Sequence, residues 1–328
     1  MNEVLRILDR VLKKSGYAIK KHTEYNLLPL KESSNFPDQK KVYEVFNANN
    51  SLKKDDVNKL VICLRTCIND KRARGKRNEL TGVSLEEHLL KCINSLIMST
   101  NEALQYNNNI SLIIFDDRSE PSIVDKLEGL CDKLKCEWKI LNTEKTGQGE
   151  SLHEHFSYAK DKNALFYFCE DDYLHIPGAI HEMTGFYQKV YAQTNSHLLI
   201  YPQEHEMLYS QFNYPSYILL GENRRWRTMS NATHTFFTHS SVVKNYWNYF
   251  ENTKYVGMKE KRHLGSEKKT TDKLFNHIPG FSPIPAVAVH LQSEGCLPPF
   301  FDWRSIWDQA DNIEIEQQQK NKTNENQH

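Results

Sequence analysis

Three acids, Glu170, Asp171 and Asp172, stand side by side directly after the apolar run 165–168. Such a cluster repels itself and raises the pKa of its own members unless positive charge lies close by. Two readings are open. The carboxylates hold a divalent cation, or they form a solvated turn in which Asp172 caps the next helix. Asp116 and Asp117 end a second apolar run, and a turn acid pairing with Arg118 is the plain alternative to ligand binding there. His290 ends a third short run and offers a neutral imidazole nitrogen, although a lone histidine is more often structural. The stretch RRWR at 224–227 puts Arg225 and two further guanidinium groups beside an indole. Those groups suit phosphate and sugar-ring binding, or a solvated basic loop. The basic run KRARGKR at 71–77 has the same two readings. His153 and His155 are two apart in a helical stretch and point apart, so they do not make a zinc site.

The elements that carry these residues alternate regularly. Residues 59–67 and 109–119 read as buried strands, and 136–144 and 164–172 as a third and a fourth strand. Residues 84–106, 122–134, 149–161 and 177–193 have helical spacing, and Pro177 marks the start of the last. The order β-α-β-α-β-α-β-α implies an α/β fold, a mostly parallel sheet with helices on both faces. Ligands of such sheets bind outside the carboxyl ends of the strands. The polar residues singled out fall at those ends: Arg65 and Thr66 on the first strand, and acids on two others, Asp116 and Asp117 on the second and 170–172 on the fourth.

Later elements are less regular. A strand at 197–203, a helix at 240–252 opened by Ser240 or Ser241, a helix at 266–278 and a strand at 286–295 are expected. Residues 1–15 form an amphipathic helix with Val4, Leu5, Leu8, Val11 and Leu12 on one face. That helix either docks on the domain or lies on an anionic membrane surface. The tail 311–328 has little to bury and reads as disordered. The chain divides into an extension at 1–58, one α/β domain in two halves, 59–195 and 196–310, and the tail.

Composition excludes several classes. Lys+Arg and Asp+Glu both number 42, so a global nucleic-acid footprint is not expected. No run of 18 apolar residues and no apolar leader is present, so a cytoplasmic location is expected. The seven cysteines include no CxxC pair, which argues against a zinc ribbon and for a reducing compartment.

The ordered motifs resemble a family. Arg65-Thr66, DDRS at 116–119, TGQG at 146–149 and EDD at 170–172, in this β/α order, resemble the large inverting family of GT-A nucleotide-sugar glycosyltransferases. The resemblance covers about 59–193 and weakens toward 295. Glu170 stands where the family usually has Asp, and the early loop lacks Pro-x-Tyr-Asn. The resemblance implies a hexosyltransferase-type transfer from a nucleotide-diphosphate sugar, dependent on Mn²⁺ or Mg²⁺. Its acceptor is a glycan, a lipid-linked glycan or another hydroxyl, in polysaccharide or glycoconjugate synthesis. Asp172 and His290 are implied as metal ligands. Arg65, Thr66, Asp116, Asp117, Gly147, Glu170, Asp171 and Arg225 are implied on the donor. An acid at a late helix start takes the acceptor proton. Asp272 is the first candidate, with Asp302 and Glu267 behind it. Sugar-phosphate nucleotidyl transfer and an inactive scaffold are the alternatives. A nucleotidyltransferase usually has a Gly-rich loop after the first strand, where this chain has a single glycine in RTCINDKRARGKR.

Overall fold

The computed structural model describes residues 3–17, 55–69, 79–204, 217–229, 231–299 and 301–310. The basic run 71–77, the tail 311–328 and residues 18–54 lie outside these. Strand β1 (Leu60–Thr66) is apolar from Leu60 to Leu64, ends in Arg65 and Thr66, and is buried throughout, as a strand covered on both faces must be. It pairs in parallel with β2 (Ile110–Asp116) and β4 (Leu165–Glu170), and β2 pairs in parallel with β3 (Glu137–Asn142). The register sets Arg65 opposite Glu170 and Thr66 opposite Asp116. The polar strand ends therefore meet at one edge.

The sheet continues past β4 through β9 (Phe236–His239), β6 (Leu199–Ile200), β10 (Gly280–Ile284), β8 (Arg225–Met229) and β7 (Ile218–Leu220). All nine strands run in one direction except β8 and β9. Helices α2 (Leu85–Ala103), α3 (Pro121–Cys131), α4 (Gln148–Ala159) and α5 (Ala179–Thr194) are the crossovers. Ser84 caps α2 by accepting from Glu87 N, and Pro121 opens α3 where its missing N–H costs nothing. Helix α5 begins at Ala179, two residues after Pro177. Phe156 of α4 packs edge-on against Phe168 of β4 at 4.8 Å and locks that helix over the sheet.

Two expected helices are broken. The stretch 240–252 divides into α6 (Ser240–Asn245), α7 (Trp247–Phe250) and a 3₁₀ turn, Glu251–Tyr255. Its cap is the His239 imidazole, which accepts from Ser241 N, and neither serine. The stretch 266–278 is two 3₁₀ turns, Glu267–Lys269 and Thr271–Asn276, divided at Thr270 with φ −113° and ψ −104°. Thr270 and Thr271 are buried, and β-branched residues tolerate the α conformation poorly. The short α8 (Arg262–Gly265) precedes them.

Outside the large sheet, β5 (Tyr173–His175) pairs antiparallel with β11 (Ala288–His290), and α9 (Trp303–Gln309) covers this ribbon. The amphipathic pattern at the N-terminus forms α1 (Glu3–Lys14). Its residues Val4, Leu5, Ile7, Leu8 and Val11 are 41–67% exposed, so this face is not buried against the domain. No helix among the described residues is long and apolar enough to cross a membrane.

One glycine of TGQG is fixed by packing. A Cβ on Gly149 would stand 2.5 Å from Lys254 O and 2.7 Å from Val256 O. Both are backbone atoms and cannot swing away. Gly149→Ala is expected to cost about 1–3 kcal/mol in urea unfolding, the usual range for overpacking. A cost below about 0.5 kcal/mol would show that residues 254–256 are not seated on α4.

Candidate active site

Each acid of the triple cluster has its own partner. Glu170 forms a buried ion pair with the Arg65 guanidinium of the neighbouring strand. Burial, the largest influence, pushes its carboxyl up, but Arg65 together with His234 and His290 holds it below the usual carboxylate range. Asp171 accepts from Thr66 Oγ1 at 2.9 Å and from Cys67 N at 3.1 Å, which ties down the chain leaving β1. Asp172 meets His290, with Oδ2 to Nε2 at 3.2 Å. The question of three adjacent carboxylates thus resolves into three directions, two of which serve the scaffold.

His290 is placed with care. Its strand β11 pairs with β5 so that His290 lies opposite Tyr173, whose ring stacks on the imidazole at 4.6 Å. Its N–H donates to Gln203 Oε1 at 2.5 Å, and Leu291 N donates to Asp172 O at 3.0 Å. Burial alone would lower the imidazole pKa. The Asp172 carboxylate outweighs it and pushes His290 up to about 10. Two residues 118 positions apart in the chain, and singled out from sequence, are therefore in contact.

The acids at the end of β2 hold loops. Asp116 accepts from Ser119 N at 2.9 Å and from Ser119 Oγ, and burial raises its carboxyl. Asp117 accepts from Gly147 N at 2.8 Å and pairs with Arg118. Gly147 has φ +109°, a conformation that favours glycine, so the TGQG turn presents its N–H to Asp117.

A cavity of about 480 Å³ opens beside the Asp172–His290 pair. Glu170, His234, Glu267 and Cys296 also line it. His234 is buried and kept neutral, its pKa lowered to about 4 by burial, and its Nε2 has no hydrogen-bond partner. Glu267 stands at the open mouth. Partial burial, with Asp272 and Glu170 near, pushes its carboxyl up to about 7. Asp272 lies behind it and accepts from Ala232 N at 3.2 Å; burial raises it to about 6. Asp302 is spent as the cap of α9, accepting from Ser305 N.

The structure does not bring Arg225 to this cavity. In β8 Trp226 is buried against Phe186 at 4.1 Å, and Arg225, the strand's first residue, is exposed at the β7–β8 end of the sheet. Arg224 donates to Pro285 O at 3.0 Å. The RRWR motif is a strand with an indole in the core. His234 was missed from sequence because nothing in NATHTFF marks it; it comes into the cavity through the turn before β9.

Arg65 and Glu170 make a testable pair. Arg65→Ala would leave a buried carboxylate alone, and losing one partner of such a pair costs about 3–5 kcal/mol. In chemical denaturation R65A should be much less stable than the double variant R65M/E170M. Equal stabilities would show that the pair carries no charge energy.

A mostly parallel α/β sheet with acids at the carboxyl ends of β2 and β4, and a cavity beside the second of these, is the arrangement of the GT-A glycosyltransferases, which use nucleotide sugars. The model of glycosyl transferase family 2 matches residues 77–256, more than half of the chain, and the chain belongs to that family. The match includes 116–119, 146–149 and 170–172, and ends before Glu267, Asp272 and His290. No curated protein matches the chain. Among solved structures it resembles S. aureus TarS 1-349, at 13% identity and TM-score 0.39, over 68% of this chain and 60% of that one. It also resembles a UDP-glucose pyrophosphorylase complexed with UDP-glucose, at 12% identity and TM-score 0.42, over 79% of this chain and 99% of that one. A third is the inositol-1-phosphate CTP transferase from T. maritima, at 14% identity and TM-score 0.37, over 79% and 98%. The chain spans 36% of the longer TarS structure.

Proposed function

We propose that this protein transfers a sugar from a nucleotide-diphosphate sugar to a hydroxyl acceptor with inversion, in a reaction that depends on Mn²⁺ or Mg²⁺. The contact between Asp172 and His290 at the cavity carries this reading. The residues fit a cation that displaces the proton on the His290 imidazole, which Asp172 otherwise holds there. Ligands about 2.1 Å from an octahedral ion lie about 3 Å from one another, close to the 3.2 Å between these two side chains. A bound cation would neutralise the charge that develops on the leaving diphosphate.

The chain's own residues do the rest. Asp172 and His290 hold the cation site in a fixed ribbon. Arg65 neutralises Glu170, which limits like-charge repulsion beside it. The loops held by Asp116, Asp117 and Asp171 form the nucleotide side, with Thr66 and Gly147 among them. Glu267 takes the proton of the acceptor hydroxyl. The acceptor oxygen bonds to the anomeric carbon, the bond to the diphosphate breaks, and the nucleoside diphosphate leaves. Glu267 is favoured over Asp272 because it lines the cavity, while Asp272 is engaged with Ala232 N and raises its neighbour's pKa.

Product analysis tests the reaction. With Mn²⁺ and a panel of UDP-, GDP- and dTDP-sugars, the protein should release nucleoside diphosphate. Pyrophosphate release from a nucleoside triphosphate and a sugar 1-phosphate would support nucleotidyl transfer instead. Neither product would favour the scaffold reading.

The exposed apolar face of α1, with Lys13 and Lys14 in its last turn, supports peripheral contact with an anionic inner membrane face, near a lipid-linked acceptor. Wild type should co-sediment with phosphatidylglycerol vesicles. Leu5→Glu/Leu8→Glu should remain in the supernatant, and equal sedimentation would remove the membrane from the account.

A further inference from the structure

The chain segment that brings Glu267 to the cavity is strongly basic, although no Lys or Arg lines the cavity itself. Between residues 254 and 273 there are seven Lys/Arg and three Asp/Glu, in a chain whose formal net charge is +0. This segment supplies Tyr255, Val256, Gly257, Gly265, Ser266 and Glu267 to the cavity lining. Its loop is closed tightly. A Cβ on Gly265 would collide with the backbone of Tyr255 and Val256, so the two ends of 256–265 touch. Lys261 then rests its ammonium 4.5 Å from the Tyr255 ring centroid, at the cavity's edge. Lys259, Lys268 and Lys269 are exposed, and none has a carboxylate within ion-pair distance among the described residues. They are not among the cavity's lining residues, so they stand outside the space beside Asp172 and His290. Lys268 and Lys269 follow Glu267 directly in the chain.

A solvated face would not concentrate one sign of charge around the proton acceptor of a neutral chain. Ammonium groups at a cleft mouth raise the local concentration of anions and bind phosphate as point charges. We propose that the acceptor bears phosphate, which Lys259, Lys268 and Lys269 hold outside the donor cavity while its hydroxyl reaches Glu267. This rests on the glycosyltransferase reading above. The phosphate belongs either to a soluble phosphate-containing molecule or to a lipid headgroup.

The test uses the full chain and K259Q/K268Q/K269Q. One arm measures binding of fluorescent inorganic polyphosphate, with neutral dextran as control. A second measures sedimentation with phosphatidylcholine vesicles containing phosphatidic acid. Binding of UDP and GDP with Mn²⁺ is measured in parallel and should be the same in both proteins. Polyphosphate should bind wild type, and the variant should bind roughly tenfold more weakly at low salt, an effect that shrinks as salt screens it. A lysine-dependent difference in the vesicle arm alone would assign the phosphate to a lipid. Intact nucleotide binding with no lysine-dependent binding in either arm would overturn the proposal and leave the glycosyltransferase reading standing. Failure of nucleotide binding in wild type would overturn that reading, and this inference with it.

Discussion

Asp172→Asn is expected to abolish the cation dependence of nucleoside diphosphate binding and to lower turnover by about 10²–10³-fold, the scale of losing one strong transition-state charge contact. The substitution keeps the shape of the side chain and removes its charge. His290 then loses the carboxylate that holds its pKa up to about 10, and burial makes the imidazole neutral. Neutral imidazole is still a metal ligand, but with a single anionic partner gone the site binds a divalent cation weakly. Calorimetric titration with Mn²⁺ and UDP or GDP measures this. Unfolding midpoints in urea show whether the chain remains folded. A folded D172N protein that binds nucleotide and Mn²⁺ as wild type does would remove Asp172 from the site.

Glu267→Gln is expected to lower kcat by about 10²–10⁴-fold with nucleotide affinity unchanged, because a general base contributes that much to the chemical step. Asp272→Asn should do less, since Asp272 reaches the reaction only through Glu267. The pH profile follows from the same group. Partial burial, with Asp272 and Glu170 near, raises the Glu267 carboxyl to about 7. The base works only when ionised, so wild-type turnover should fall as pH drops through about 7 and hold on the alkaline side. The sign for stability is opposite to that of a salt-bridged acid. A carboxyl whose folded pKa lies above its unfolded value binds a proton in the fold, and its contribution is lost as pH rises through about 7. An activity profile unchanged by Glu267→Gln would transfer the role to Asp272.

The placing of several candidate site residues was legible in the sequence because parallel strands obey a simple geometry. An apolar run buried on both faces must end in polar residues at the ligand-binding edge, and that rule found 116–117 and 170–172. His290 was legible for the same reason, as a polar residue ending an apolar run. What the individual carboxylates do there was not legible. Glu170 looks like a donor ligand in sequence, yet the register places Arg65 beside it and the two neutralise each other. Partners on neighbouring strands depend on register, which the one-dimensional pattern does not contain. Arg225 was placed on the donor because three guanidinium groups beside an indole suit phosphate and a sugar ring, a pattern that does not say where in the sheet the strand lies. Arg225 is the exposed first residue of β8, whose following residues, Trp226 among them, are buried. The late helices were read from spacing alone, and buried Thr270 and Thr271 break the second of them. Glu267 falls in the first of the resulting turns and lines the cavity, while Asp272 falls in the second and does not.

The central claim is that Asp172 and His290 form the cation-dependent donor site. The most direct measurement is the unfolding temperature of wild-type protein with UDP, GDP, CMP and dTDP, each with and without Mn²⁺. One nucleoside diphosphate should stabilise the protein only when Mn²⁺ is present. At about 100 times its dissociation constant the gain should be about 2.7 kcal/mol. No stabilisation by any nucleotide with Mn²⁺ would contradict the donor site and return the three acids to a role in the scaffold.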